Sequence, residues 1–216
     1  KKDVLNKVIL VTGAAGSIGR EIVIQLTKFK PKKILIFDQA ESPLYDIELE
    51  LKEKYNFTDY EIIIGDITNG LRVTKLFETF NPSIVYHAAA YKHVPLMEYN
   101  AYEAIRVNIA GTKMLVDLAL AHDVEKFVFV STDKAVNPTN VMGASNRAAE
   151  MYVQALQNES GVNTRFITSR FGNVLGSSGS VIPHFRKQIA QGGPVTVTHK
   201  NIIRYFMTIP EACQLV

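Results

Sequence analysis

The chain has 216 residues, enough for one full α/β domain with a real core. Hydrophobic residues make up 47% and charged ones 21%, a globular composition that excludes a disordered chain. A net charge of +3 argues against nucleic acid as the main partner, and one cysteine, Cys213, excludes a disulfide framework and suits a reducing, cytoplasmic compartment. The first element is an apolar run, Val8-Ile9-Leu10-Val11, that reads as a buried strand and breaks at Thr12-Gly13. A glycine-rich turn follows, with Gly13, Gly16 and Gly19 spaced around Ala15, Ser17 and Ile18, and a helical pattern begins near Ser17. Strand, glycine loop and helix start in this order build an anion site, because a helix N-terminus offers free N–H groups and the positive end of a dipole. A Cβ in the loop would block the approach of a pyrophosphate, or of helix to strand. The alternative is a tight βα turn with no ligand.

Strands are expected near 8–12, 33–37, 60–64, 83–87, 126–130 and 163–169, and helices near 17–29, 41–54, 70–80, 100–122, 143–159 and 182–191. Runs such as Ile34-Leu35-Ile36-Phe37 and Phe127-Val128-Phe129-Val130 are apolar throughout. Strands without alternation are buried on both faces, as in a parallel sheet covered by helices. The βαβ rhythm therefore predicts a doubly wound parallel α/β sheet with ligands at the carboxyl ends of its strands. Gly192-Gly193-Pro194 reads as a turn that divides a dinucleotide-binding domain, 1–191, from the start of a smaller C-terminal portion, 192–216. No apolar run approaches membrane-spanning length. The chain lacks an initiator Met and stops within an apolar, helix-like run, so it is expected to be a piece of a longer protein.

Asp38 closes the second strand, nineteen positions after Gly19, where a dinucleotide fold places the acid that bonds the adenosine ribose; the other reading is a helix N-cap acid. No Arg or Lys follows within Gln39-Ala40-Glu41-Ser42, which favours NAD over NADP. Asp66, next to Ile67, is either an adenine contact or a turn acid. Ala88, Ala89 and Ala90 let a flat cofactor lie against the backbone, or only allow close helix packing. In the loop from Tyr91 to Glu98, Lys92 and His93 are two potential cations, suited to a phosphate-bearing substrate or simply solvated. Asn108, in an apolar helix, either braces a kink near the site or caps a local defect. The strand at 126–130 delivers Ser131, Thr132, Asp133 and Lys134 to the same rim, hydroxyls, acid and amine suited to proton transfer, or else a turn with a surface Asp-Lys pair.

The series TGAAGSIG, HAAAYKHVPLME, VNIAGT, VFVSTDKAVNPTNVMGAS, SRFGNVLGSSGSVIP and RYFMTIPEA resembles the CapD-like polysaccharide-biosynthesis family of extended short-chain dehydrogenase/reductases, of the UDP-N-acetylglucosamine 4,6-dehydratase type. The resemblance spans essentially the whole chain. It implies a Rossmann domain followed by a smaller substrate domain, an NAD cofactor (NADP being the alternative), a UDP-sugar substrate, self-association, and in longer members an N-terminal membrane region. The implied reaction oxidises C4 of the sugar, eliminates water across C5 and C6, and returns hydride to C6. By resemblance Asp133 is the acid for the departing hydroxyl, Lys134 the base at C5, and Thr132 the partner of the C4 oxygen. The stretch Phe171-Gly172-Asn173-Val174 lines the nicotinamide and sugar, and Arg204 approaches the nucleotide unless it is an ordinary surface arginine. No metal is implied. The superfamily's YxxxK pair falls at Met142 and Asn146. Methionine also occurs there in the long-chain branch, but that branch keeps the lysine. Asn146 can bond a ribose hydroxyl without carrying charge, which implies reduced or lost turnover. A UDP-sugar 4-epimerase and a non-catalytic nucleotide-binding module are the competing readings.

Overall fold

In the computed structural model the described residues are 3–159, 161–177, 181–197, 199–201 and 203–216. The order is β1 (Val8–Thr12), α1 (Ser17–Leu26), β2 (Lys33–Asp38), α2 (Glu41–Glu53), β3 (Tyr60–Ile64), α3 (Gly70–Phe80), β4 (Ile84–His87), α4 (Val94–Tyr99), α5 (Ala101–Ala104), α6 (Thr112–Ala121), β5 (Lys126–Thr132), α7 (Val141–Gln157), β6 (Arg165–Phe171), β7 (Asn173–Val174), α8 (Val181–Ala190), β8 (Phe206–Met207) and α9 (Ile209–Gln214). Six parallel strands pair in the order β3-β2-β1-β4-β5-β6, the doubly wound arrangement expected. The unalternating strands are apolar because both faces are covered. Leu10 and Leu35 face a core shared with α3, α6 and α7. Ile9, Val11, Ile34 and Ile36 face the opposite core, under α1 and α2.

Several elements depart from the periodicity. β5 continues to Thr132 and β6 to Phe171, two residues past their expected ends, so Ser131 and Thr132 sit within the sheet. The 91–98 loop contains a helix, α4, started by Pro95 in its first turn. The helix expected at 100–122 is interrupted by a π-helical stretch, Ile105–Gly111, around Asn108. α1 ends at Leu26 and tightens into a 3₁₀ turn, Thr27–Phe29. Beyond Gly192, the chain returns to the first body. β8 pairs with β7, and α9, held by a Thr208–Glu211 capping box, packs on α1 and buries Cys213 in the core beneath it.

Below the glycine loop lies a buried polar strut. His87 is fully enclosed, with Nδ1 2.7 Å from Thr12 Oγ1 and Nε2 2.9 Å from Thr112 Oγ1. Thr112 donates its hydroxyl proton to the Asn108 carbonyl, so it accepts from Nε2–H, and Nδ1 accepts from Thr12. Both nitrogens are satisfied in the neutral ring, and burial pulls the His87 pKa from 6.5 down to about 3. Between those values the unfolded chain binds a proton that the folded one refuses, so stability falls as pH falls through that window. We expect urea unfolding to lose about 2 kcal/mol between roughly pH 6.5 and 5. The slope should vanish in His87→Gln, and a flat profile in the unsubstituted protein would refute the assignment.

Candidate active site

The glycine loop leaves β1 at Gly13, whose φ of +68° suits a residue without a Cβ. An added Cβ there would stand 2.5 Å from the Ala88 carbonyl carbon and the Ala89 nitrogen, so β1 and β4 meet backbone to backbone. Gly16 takes the N-cap position of α1, with no side-chain cap and no acid in the first turn. The positive end of the helix dipole is therefore not offset by a carboxylate of its own first turn. Asp38 closes the opposite wall. Its Oδ2 accepts from Ala15 N–H and its Oδ1 from Ala40 N–H, both at 3.0 Å. It is a brace for the loop, and α2 begins after Ala40 without a side-chain cap.

Two joined cavities lie along the carboxyl ends of the strands. The smaller, of about 170 Å³, is lined by Phe37, Asp38, Gly65, Asp66, Ile67, Ala88, Ala89 and Ala90. Asp66 accepts from Thr68 N–H at 2.8 Å and pairs with Arg106 at 3.2 Å, so it is a turn acid that also faces this cavity. Burial raises its pKa, but bonding to Thr68 and Arg106 outweighs that and leaves it below the ordinary value. The larger cavity, of about 740 Å³, falls in the size range of ligand sites. The predicted Gly13, Ala15, Gly16, Ser17, Ile18 and Gly19 line one side of it. Lys92 and His93 line the rim, and burial draws the Lys92 ammonium below its usual pKa. Ser131, Thr132, Lys134, Met142, Asn146, Phe171 and Asn173 complete the wall. Gly172 and Val174 of the same stretch line it too, and Tyr91 also lines it and went unpredicted, since a strand-end residue declares no role until its neighbours are placed.

Three predicted residues stand elsewhere. Asn108 is buried behind the site rather than facing it. It clamps Tyr91, accepting from its N–H at 2.8 Å and donating to its carbonyl at 3.1 Å, and it also donates to Ser145. Its side chain thus ties the π-helical stretch to the chain after β4 and to α7. Asp133 does not line the cavity wall. Its Oδ1 lies 3.0 Å from Lys134 Nζ and accepts from Thr132 Oγ1 at 3.0 Å. Burial pushes its carboxyl up, but Lys134 and Thr132 outweigh that and hold it below the ordinary value. Arg204 is exposed and lines neither cavity. Ser178, Gly179 and Ser180 of the SRFGNVLGSSGSVIP stretch lie outside the described residues. Among the described residues, no helix is long and apolar enough to cross a membrane.

On α7, Met142 and Asn146 occupy one face. Asn146 is buried and donates to the Met142 carbonyl at 3.0 Å, with its Nδ2 3.4 Å from Met142 Sδ. This wall thus presents a thioether and an amide, neither of which titrates. The titratable groups nearby are Asp133 and Lys134, just past β5, and Lys92 and His93 beyond β4.

The family described as "Polysaccharide biosynthesis protein" matches residues 9–216. The capsular polysaccharide biosynthesis protein CapD of Staphylococcus aureus is 56% identical over all of this chain, which spans 36% of that protein. A UDP-N-acetylglucosamine 4,6-dehydratase (inverting) of Campylobacter jejuni is 36% identical over 97% of this chain and 62% of its own length. A UDP-glucose 4-epimerase of Rickettsia rickettsii is 34% identical over 98% of this chain, and likewise over 62% of its length. The X-ray structure of Pen from Bacillus thuringiensis superposes with a TM-score of 0.90 at 38% identity, covering 98% of this chain and 66% of that one.

Proposed function

Because the chain belongs to the polysaccharide biosynthesis protein family, in the CapD-like branch of the extended short-chain dehydrogenase/reductases, we propose that it forms the cofactor-binding and catalytic part of a nucleotide-sugar 4,6-dehydratase. The substrate is UDP-N-acetylglucosamine or a similar UDP-hexose, converted in the cytoplasm through a transient 4-keto sugar for surface polysaccharide. The observation that carries the reading is the Thr132-Asp133-Lys134 cluster, in which an acid and an amine meet at 3.0 Å beside the cavity that the glycine loop also lines.

The uncapped start of α1 suits a pyrophosphate, and the flat Ala88–Ala90 backbone suits a ring system. Asp38 suits a free ribose hydroxyl and would repel a 2′-phosphate, so NAD is the cofactor. Bound NAD would take hydride from C4 and return it at C6. The chain's own residues handle the protons. Thr132 already donates to Asp133, so the proton leaving O4 has a path through Thr132 Oγ1 to Asp133 Oδ1. Asp133 then delivers it to the C6 oxygen, which departs as water. Lys134, as a neutral amine, removes the C5 proton as the C5–C6 double bond forms, and gives a proton back to C5 when hydride arrives at C6. A 4-epimerase would use the same cavity but has no need of an acid at C6, and the adjacency of Asp133 and Lys134 favours dehydration. Asn146 supplies no cation to the nicotinamide ribose, so turnover is slow.

The test is mass spectrometry of UDP-N-acetylglucosamine incubated with the full-length protein and NAD. Loss of one water from the sugar nucleotide is expected, with faster single-turnover reduction of NAD in Asn146→Lys. An unchanged mass with NAD shown to be bound refutes dehydration. Equal rates in the two proteins refute the role given to position 146.

A further inference from the structure

Glu150 lies one helical turn beyond Asn146, on the face of α7 that carries Met142 and Asn146, and its side chain is wholly enclosed. Its Oε1 accepts from Arg170 Nε at 2.7 Å and its Oε2 from Arg170 Nη2, a bidentate fork. Arg147 Nη1 adds a third contact at 3.1 Å. Ser131 Oγ, buried on the cavity side, lies close enough to the carboxylate to affect its titration, without hydrogen-bond alignment. Ser131 and Arg170 face each other in the β5–β6 register, and the next rung is Thr132 with Phe171, both of which line the cavity. Just past the end of the ladder, a Cβ on Gly172 would stand 3.4 Å from Asp133 Oδ2. A single carboxylate on the helix of Met142 and Asn146 therefore holds the end of β6, which pairs with the end of β5 that leads into the reactive cluster.

Stability alone is a poor reason for this group. Desolvating a buried ion pair costs about what its attraction returns, so an apolar side chain of similar volume would serve stability as well. A bidentate fork adds what an apolar contact lacks, a fixed direction. We infer that Glu150 is a positioning residue, holding the ends of β5 and β6 in register against α7 so that Thr132 and Lys134, with Asp133 bonded to both, stay at the cavity. In its catalytic consequence this rests on the dehydratase reading. In its structural consequence it does not.

Two measurements on Glu150→Gln, Glu150→Ala and Arg147→Ala separate the two. The first is amide hydrogen exchange on the full-length protein well below its melting temperature. Exchange at 131–134 and 170–173 should rise roughly tenfold or more in both Glu150 variants, with 127–129 unchanged, and Arg147→Ala should keep the original pattern because the Arg170 fork survives. A uniform rise, or none, overturns the inference whatever reaction the protein performs. The second is steady-state dehydration. In Glu150→Gln, kcat should fall about 10- to 100-fold while KM stays within about threefold, the scale on which small misplacements act. A lowered melting temperature with kcat unchanged would mean a purely structural staple and overturn the inference. Absence of dehydration in the unsubstituted protein would refute the dehydratase reading, leaving the exchange result to decide this one.

Discussion

Gly19→Ala is expected to weaken dinucleotide binding on the order of 100-fold. Gly19 is the third residue of α1 and packs directly beneath the turn that starts at Gly13. An added methyl would fall on the Gly13 carbonyl oxygen and within 2.8 Å of Ala14 Cα. Both are backbone atoms, so no rotamer change relieves the overlap, and α1 must move away from β1. The displacement swings the first-turn N–H groups off the position a pyrophosphate needs. Overpacking of this kind costs about 1 to 3 kcal/mol of stability. A shift of about 1 Å in a binding constellation weakens it on the order of 100-fold. Gly16→Ala is the informative comparison. Gly16 has φ of −75°, and its added Cβ would approach only the Gly13 oxygen, at 3.2 Å. Its binding should fall by less than about tenfold. Calorimetric titration with NAD checks both, and a Gly19→Ala protein that binds as tightly as the original would remove the loop from the site.

On the dehydratase reading, Asp133→Asn and Lys134→Met are each expected to lower the dehydration rate by about 10² to 10⁴, the range for loss of a positioned proton donor or acceptor. Neither should cost much stability. The side chains of Asp133 and Lys134 are 50% and 30% exposed, and a pair so open to solvent contributes less than about 1 kcal/mol. Rate and melting temperature therefore separate here, whereas in Gly19→Ala they fall together. The double variant should be little worse than either single one, because the two groups act on one elimination step. Rates within about threefold of the original in both single variants would mean that the proton chemistry resides elsewhere on the rim, with Lys92 and His93 as the next residues to test.

The order of strands and helices, the glycine loop and the acid at the end of β2 could all be read along the chain. Each is a local requirement. A strand covered on both faces must be apolar without alternation, as in Ile34-Leu35-Ile36-Phe37, and a helix that starts against a backbone turn must have glycine where Gly19 stands. The placement of Ser131, Thr132 and Lys134 at the rim followed from the same logic, since strand ends in a parallel sheet share one edge. Partners were not legible, because periodicity reports a residue's average surroundings and not which distant group meets it. Asn108 in a helix gave no sign that Tyr91, seventeen positions earlier, would be its partner. Glu150 reads as an ordinary helical charge until Arg170 arrives across β6 and makes its burial tolerable. The segment after Gly192 reads as departing for a second domain, yet α9 docks on α1, with Cys213 Sγ 3.6 Å from the Ile18 carbonyl. Those pairings were decided only in three dimensions, because the energy of a buried polar or apolar group depends on what fills the space opposite it, and that neighbour is supplied by another part of the chain.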